Sequence, residues 1–154
     1  VEDAELARIL RALQVIMRTG RSPRLGERIK ERAGVETDRS VYYLLASVRD
    51  LQPVRLTDLA THLGVDVSTV SRQVAHLEAN DLVDRARDPD DGRASRLRLT
   101  AAGQDVLHRL GGAWQDSVAD LLADWDPARV AVFAATIEDF AERLGGMAEE
   151  REDV

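Results

Sequence analysis

Cysteine is absent from the 154-residue chain, which excludes disulfides, thiol-based redox sensing and thiolate metal sites together. Long apolar runs are also missing. No stretch reaches the roughly 18 uncharged apolar residues that a membrane-spanning helix needs. The first residues, Val1-Glu2-Asp3-Ala4-Glu5, are acidic and open an amphipathic pattern rather than the basic start and apolar run of a secretory signal. A cytoplasmic protein is the simple expectation. No glycine-rich phosphate loop, nucleophile elbow or clustered His/carboxylate motif occurs, which argues against an enzyme. The three histidines, His62, His76 and His108, are too widely separated to suggest a metal cluster, so neither a metal nor another cofactor is expected. Lysine is nearly absent as well: Lys30 is the only one, and arginine carries almost all the positive charge.

What is present is a composition 44% hydrophobic, enough for a real core, and a net charge of −7. That sum alone disfavours a nucleic-acid partner, but its distribution is uneven. Residues 1–48 carry 9 basic and 7 acidic side chains, residues 49–98 carry 8 and 9, and residues 99–154 carry 4 and 12. The acid is thus concentrated in the last third. Between Arg85 and Arg98, five arginines face three aspartates, so this short stretch is locally positive.

Hydrophobic periodicity predicts a helix over 4–18, with Leu6, Ile9, Leu10, Leu13, Ile16 and Met17 on one face. Gly20 to Gly34 is mixed and basic. Pro23 and Gly26 should break it, leaving a short helix over 25–33. Asp38 can cap a second clear helix with Val41, Leu44, Leu45, Val48 and Leu51 inward, and Pro53 ends it. After the extended piece Val54-Arg55-Leu56, Thr57 caps a helix through His62 that Gly64 terminates. Asp66 can cap the next helix, which runs to about Asn80 with Val70, Val74 and Leu77 inward. Two helices joined this tightly form a helix-turn-helix pattern. Short strands near 82–87 and 96–100 flank Asp88-Pro89-Asp90-Asp91-Gly92-Arg93, where Asp-Gly signals a hairpin turn. A ribbon directly after a helix-turn-helix is a wing. Thr100 caps a long helix ending near Trp125, and Asp126-Pro127 starts a last one. No internal repeat or low-complexity segment is visible.

The expected fold class is therefore mainly α with a small β wing: a winged helix-turn-helix over 40–103, an N-terminal helix and link over 1–39, and C-terminal helices over 104–154. The terminal helices carry long apolar stripes with little else to bury them. A two-fold homodimer satisfies them, through Leu6, Leu10, Leu13, Trp114, Phe133, Ile137 and Phe140; for the aromatic residues among these, a ligand cage is the alternative to dimer and core packing.

At this point the chain resembles the MarR family of bacterial regulators. The residues that carry the resemblance are Leu56-Thr57-Asp58-Leu59-Ala60, Val67-Ser68-Thr69-Val70-Ser71-Arg72-Gln73-Val74, Leu77-Glu78 and Asp81-Leu82-Val83. They continue with Asp91-Gly92-Arg93 and Leu97-Arg98-Leu99-Thr100-Ala101-Ala102-Gly103. Two departures stand out: the tract from Arg18 to Glu36 is longer and more basic than the usual link, and Gly92 replaces a residue that is often basic or bulkier. The resemblance implies a regulator, commonly a repressor, on a palindromic operator of double-stranded DNA. It also implies release by a small amphipathic or phenolic ligand in a crevice between the dimer helices and the winged domain.

The recognition helix should enter the major groove by its N-terminal end, with Ser68, Thr69, Ser71, Arg72, Gln73 and His76 as its polar face. Arg72 and Gln73 have the forked groups that read guanine and adenine edges. Ser68 and Thr69 suit phosphate equally well. At the wing tip, Arg93 should reach the minor groove. By resemblance, Asp91 positions an arginine, Arg96 or Arg93 itself. Arg85, Arg87 and Arg96 are expected to flank the groove as phosphate contacts, although alternation along a strand means that not all of them can. Tyr42-Tyr43 is the candidate for the ligand crevice, against core packing as the plainer role. The competing reading of the polar face is a solvated surface, or a docking face for a protein partner, which the negative net charge favours and the arginine-flanked wing opposes.

Overall fold

The computed structural model describes residues 2–36, 39–87 and 95–149. The order of elements is α1 (Asp3–Gly20), α2 (Pro23–Ala33), α3 (Arg39–Leu51), β1 (Val54–Arg55), α4 (Leu56–Leu63), α5 (Val67–Ala79), β2 (Val83–Arg87), β3 (Ser95–Leu99), α6 (Ala101–Leu121) and α7 (Pro127–Glu149). The fold is mainly α, with one antiparallel sheet in the order β1-β3-β2, and α4, α5 and the β2–β3 ribbon form the winged helix-turn-helix. The chain divides into two compact units, residues 1–115 and 116–154.

The basic tract departs from its expected break. Pro23 is the first residue of α2 and Gly26 lies inside it. Proline at that position loses only a donor that has no helical partner. An interior glycine costs about 1 kcal/mol, and this is offset by the apolar face that α2 buries: Ile29 and Ala33, with Val35, pack on Leu110 and Ala113. Gly34 then stops the helix at φ 61°, where a side chain would be strained. Arg109 of α6 reinforces the stop, its Nε donating to the Ala33 carbonyl at 3.0 Å and its Nη2 to the Gly34 carbonyl.

Thr57 is not the cap of α4. The helix starts at Leu56 directly from β1, with Arg55 at the cap position in extended conformation, because pairing with β3 already fixes that backbone. Gly64 ends α4 at φ 62°. Asp66 occupies the cap position of α5, but its side chain makes no capping hydrogen bond; its charge at the positive end of the helix dipole remains favourable. Thr100 and Asp126 do cap. Thr100 Oγ1 accepts from Gly103 N at 2.9 Å, and Asp126 Oδ1 from Arg129 N at 2.9 Å. The long helix α6 closes at Leu121, short of Trp125. Asp38, expected to cap α3, lies outside the described residues.

The main core belongs to the winged domain. Leu45, Val48, Leu59, Val70, Val74, Leu77 and Leu97 are fully buried in one cluster. β3 lies in the middle of the sheet: Val54 pairs with Leu97 and Arg55 with Arg96 on one side, while β2 pairs from Val83–Leu99 to Arg87–Ser95 on the other. In the second unit, Trp125 meets Phe133 edge-on at 5.4 Å, and the Arg129 guanidinium stacks 3.7 Å over the Trp125 ring.

Candidate nucleic-acid interface

The recognition helix α5 is held from behind. Val70, Val74 and Leu77 are entirely buried, spaced by four and three residues so that they share one face. The opposite face is thereby turned outward: Ser68, Arg72, Gln73 and His76 are exposed, and Thr69 and Ser71 are half-buried. The Arg72 Nε donates to the Ser68 carbonyl at 3.3 Å, so the side chain lies back along the first turn of α5. The helix stops in a Schellman arrangement. Asp81, at φ 55°, donates its N–H to Glu78 O, and Leu82 donates to Leu77 O at 2.9 Å.

Alternation along the ribbon sorts its arginines. Val83 and Arg85 share a face with Leu97 and Leu99, the core side, because those pairs are directly opposite one another. Arg85 therefore lies on the same side of the ribbon as Val83. It turns to α5, its Nε donating to Glu78 Oε1 at 2.6 Å and its Nη1 to Ser95 Oγ at 3.5 Å. Arg96 lies on the outer face, opposite Ala86 in β2 and Arg55 in β1, and Arg98 lies opposite Asp84. Arg55 and Arg98 thus share a face with Arg96. The repeat Arg96-Leu97-Arg98-Leu99 carried that signal for Arg98, whereas Arg55 needed the β1–β3 register. Arg87 is described through its backbone, paired with Ser95. Asp91 and Arg93, and any contact between Asp91 and an arginine, lie outside the described residues.

Tyr42 and Tyr43 separate as two adjacent helix positions must. Their rings meet edge-on at 5.5 Å, yet only Tyr42 lines a cleft of about 520 Å³, together with Arg49, Gln52, Leu99, Gln104, Leu107, His108, Gly111, Gly112 and Gln115. Tyr43 is half exposed. The walls of the cleft come from α3, β3 and α6, all within residues 1–115. Gln52 Oε1 accepts from Leu99 N at 2.9 Å, which ties the cleft wall to the end of the wing strand. Arg49 Nε donates to Asp50 Oδ1 at 2.8 Å. That hydrogen bond holds the Asp50 carboxyl below the usual carboxylate range and raises the Arg49 guanidinium.

The expected dimer residues divide in two. Leu6, Leu10, Phe133, Ile137 and Phe140 are 38–52% exposed in the single chain, and Leu13 is half-buried. Trp114 is partly buried and packs on the Ile29–Leu110 cluster. Among the described residues, no three His, Cys, Asp or Glu side chains gather to hold a metal ion, and no helix is long and apolar enough to cross a membrane.

Comparison with known proteins agrees with this geometry. The sequence model of the MarR family matches residues 39–95. An uncharacterised HTH-type transcriptional regulator of Bacillus subtilis (strain 168), YxaD, is 33% identical over 101 residues, 66% of this chain and 71% of that protein. A MarR family protein from Bacillus stearothermophilus has a similar structure, with a TM-score of 0.82 at 18% identity over 94% of this chain and 99% of that one. The PcaV transcriptional regulator of Streptomyces coelicolor, solved in complex with its natural ligand, is 27% identical with a TM-score of 0.54, covering 92% of this chain and 93% of that one. The chain belongs to the MarR family of DNA-binding, winged helix-turn-helix transcriptional regulators.

Proposed function

We propose that this regulator is a homodimeric, cytoplasmic repressor of a palindromic operator, released by a small amphipathic or phenolic ligand. The observation that carries the reading is α5: three fully buried residues, Val70, Val74 and Leu77, leave its polar face pointing outward beside an arginine-bearing ribbon. Arg72 and Gln73 read base edges. Ser68, Thr69, Ser71 and His76 add base or phosphate contacts, Arg87 and Arg96 bind phosphates, and Arg93, positioned by Asp91, enters the minor groove. The apolar residues left exposed on α1 and α7, Leu6 and Leu10 with Phe133, Ile137 and Phe140, support a dimer, Leu13 joining the first group. Two recognition helices would then read half-sites about 34 Å apart.

The cleft beside Tyr42 supports the ligand response. It combines an aromatic wall, apolar Leu99 and Leu107, and polar ends at Arg49, Gln52 and His108, the mixture a small amphipathic molecule needs. That PcaV is described with a natural ligand bound favours the same reading.

Fluorescence anisotropy of the purified protein on duplexes tiled across the DNA beside its gene, with a salt series, tests the proposal. Tight, palindrome-dependent binding by a dimer that weakens steeply with salt is expected. Binding equally weak on every duplex would contradict it and favour a protein partner for the same face.

A further inference from the structure

We propose that Glu78, although an acid on the recognition helix, favours DNA binding by holding Arg85 and thereby fixing the wing ribbon on α5. One guanidinium joins three elements at the base of the wing. Arg85 Nε is 2.6 Å from Glu78 Oε1 on α5, and Nη1 is 3.5 Å from Ser95 Oγ on β3, while Arg85 itself belongs to β2. Both side chains of the ion pair are partly withdrawn from solvent, 34% exposed for Arg85 and 29% for Glu78. This strengthens their interaction relative to a surface pair.

The covalent connection between helix and ribbon is short. α5 ends at Ala79 and β2 begins at Val83, and the left-handed Asp81 fixes the turn between them. Beyond that turn, the Glu78–Arg85 bond is a side-chain tie between α5 and β2 that helps set where the ribbon leaves the helix, and hence where Arg96 on its outer face is presented. The inference rests on the reading of the wing as a DNA contact. Its sign is unusual. A carboxylate within a Debye length of DNA, about 10 Å at 0.1 M salt, repels phosphates, so electrostatics alone makes Glu78→Gln bind more tightly. Positioning makes the same substitution bind more weakly.

The experiment measures anisotropy of the full chain on its tightest-binding duplex over a salt series. It compares wild type, Glu78→Gln, Arg85→Gln, the double variant and Arg85→Lys, and follows thermal unfolding of each. Glu78→Gln is expected to lose roughly tenfold in affinity while staying folded, with no steeper salt dependence. Arg85→Gln should lose as much, and the double variant no more than either single one. Arg85→Lys keeps the charge but not the fork, and should fall between wild type and Arg85→Gln.

The inference is overturned if Glu78→Gln binds as tightly as wild type or tighter, or with a steeper slope because a freed Arg85 takes up a phosphate. It is equally overturned if the losses of the two single variants multiply in the double variant. Full activity of Arg85→Lys beside a weakened Arg85→Gln would also overturn it. A wild-type protein that binds all duplexes alike contradicts the DNA reading itself, before any variant is compared.

Discussion

Gly103 lies directly on the main chain of Leu82. A Cβ at Gly103 would overlap the Leu82 carbonyl, 2.9 Å from its carbon and closer still to its oxygen. Around that contact, Thr100 N donates to Leu82 O at 3.2 Å, Thr100 Oγ1 donates to the Asp81 carbonyl, and the same oxygen caps Gly103 N. Leu99-Thr100-Ala101-Ala102-Gly103 is therefore a joint that seats the start of α6 on the turn between the recognition helix and the wing.

Gly103→Ala should force α6 off this seat. The clash is with backbone and cannot be relieved by a rotamer change, so a loss of about 1–3 kcal/mol is expected. Denaturant unfolding checks it, with Ala102→Gly, one position away and exposed, as a control for helix propensity.

Asp81 holds a left-handed φ of 55° where glycine is the usual residue. Asp81→Gly should stabilise the protein, by up to roughly 1 kcal/mol, visible as a higher denaturation midpoint. A lower midpoint would mean that the aspartate side chain contributes more than its backbone strain costs.

Much of this arrangement was legible in the sequence. The spacing of Val70, Val74 and Leu77, the glycine stop at Gly64, and the caps at Thr100 and Asp126 each rest on local chemistry, and the fold follows from their order. What was not legible depended on tertiary partners. Gly26 looked like a breaker because the surface that α2 covers, Leu110 and Ala113, lies far along the chain. The Glu78–Arg85 pair was not legible because it is defined only once the ribbon folds against α5. Of the adjacent pair Tyr42 and Tyr43, only the packing of α6 decides which one lines the cleft.

Arg109 gives α2 its C-terminal partner through the Ala33 and Gly34 carbonyls. Arg109→Ala should destabilise the protein by about 1 kcal/mol, and amide hydrogen exchange should accelerate in α2 before the winged core. Uniform acceleration would show that α2 has no separate stability.

Gly111 lines the cleft, and an added Cβ there meets nothing within 4 Å. Gly111→Leu should therefore leave folding and DNA affinity intact, and helix propensity should even improve by roughly 0.5–1 kcal/mol. Release of the protein from DNA by phenolic and amphipathic compounds should be lost, as read by anisotropy of a preformed complex titrated with each compound. Unchanged release would place the ligand elsewhere.

The measurement that tests the central claim most directly is the affinity of Arg72→Ala for the operator, and for an operator with one base pair changed in each half-site, at a single salt concentration. If α5 reads bases, the variant should lose about 1–3 kcal/mol on the operator and discriminate less between the two duplexes. Unchanged affinity with unchanged discrimination would contradict the assignment of α5 as the reading helix.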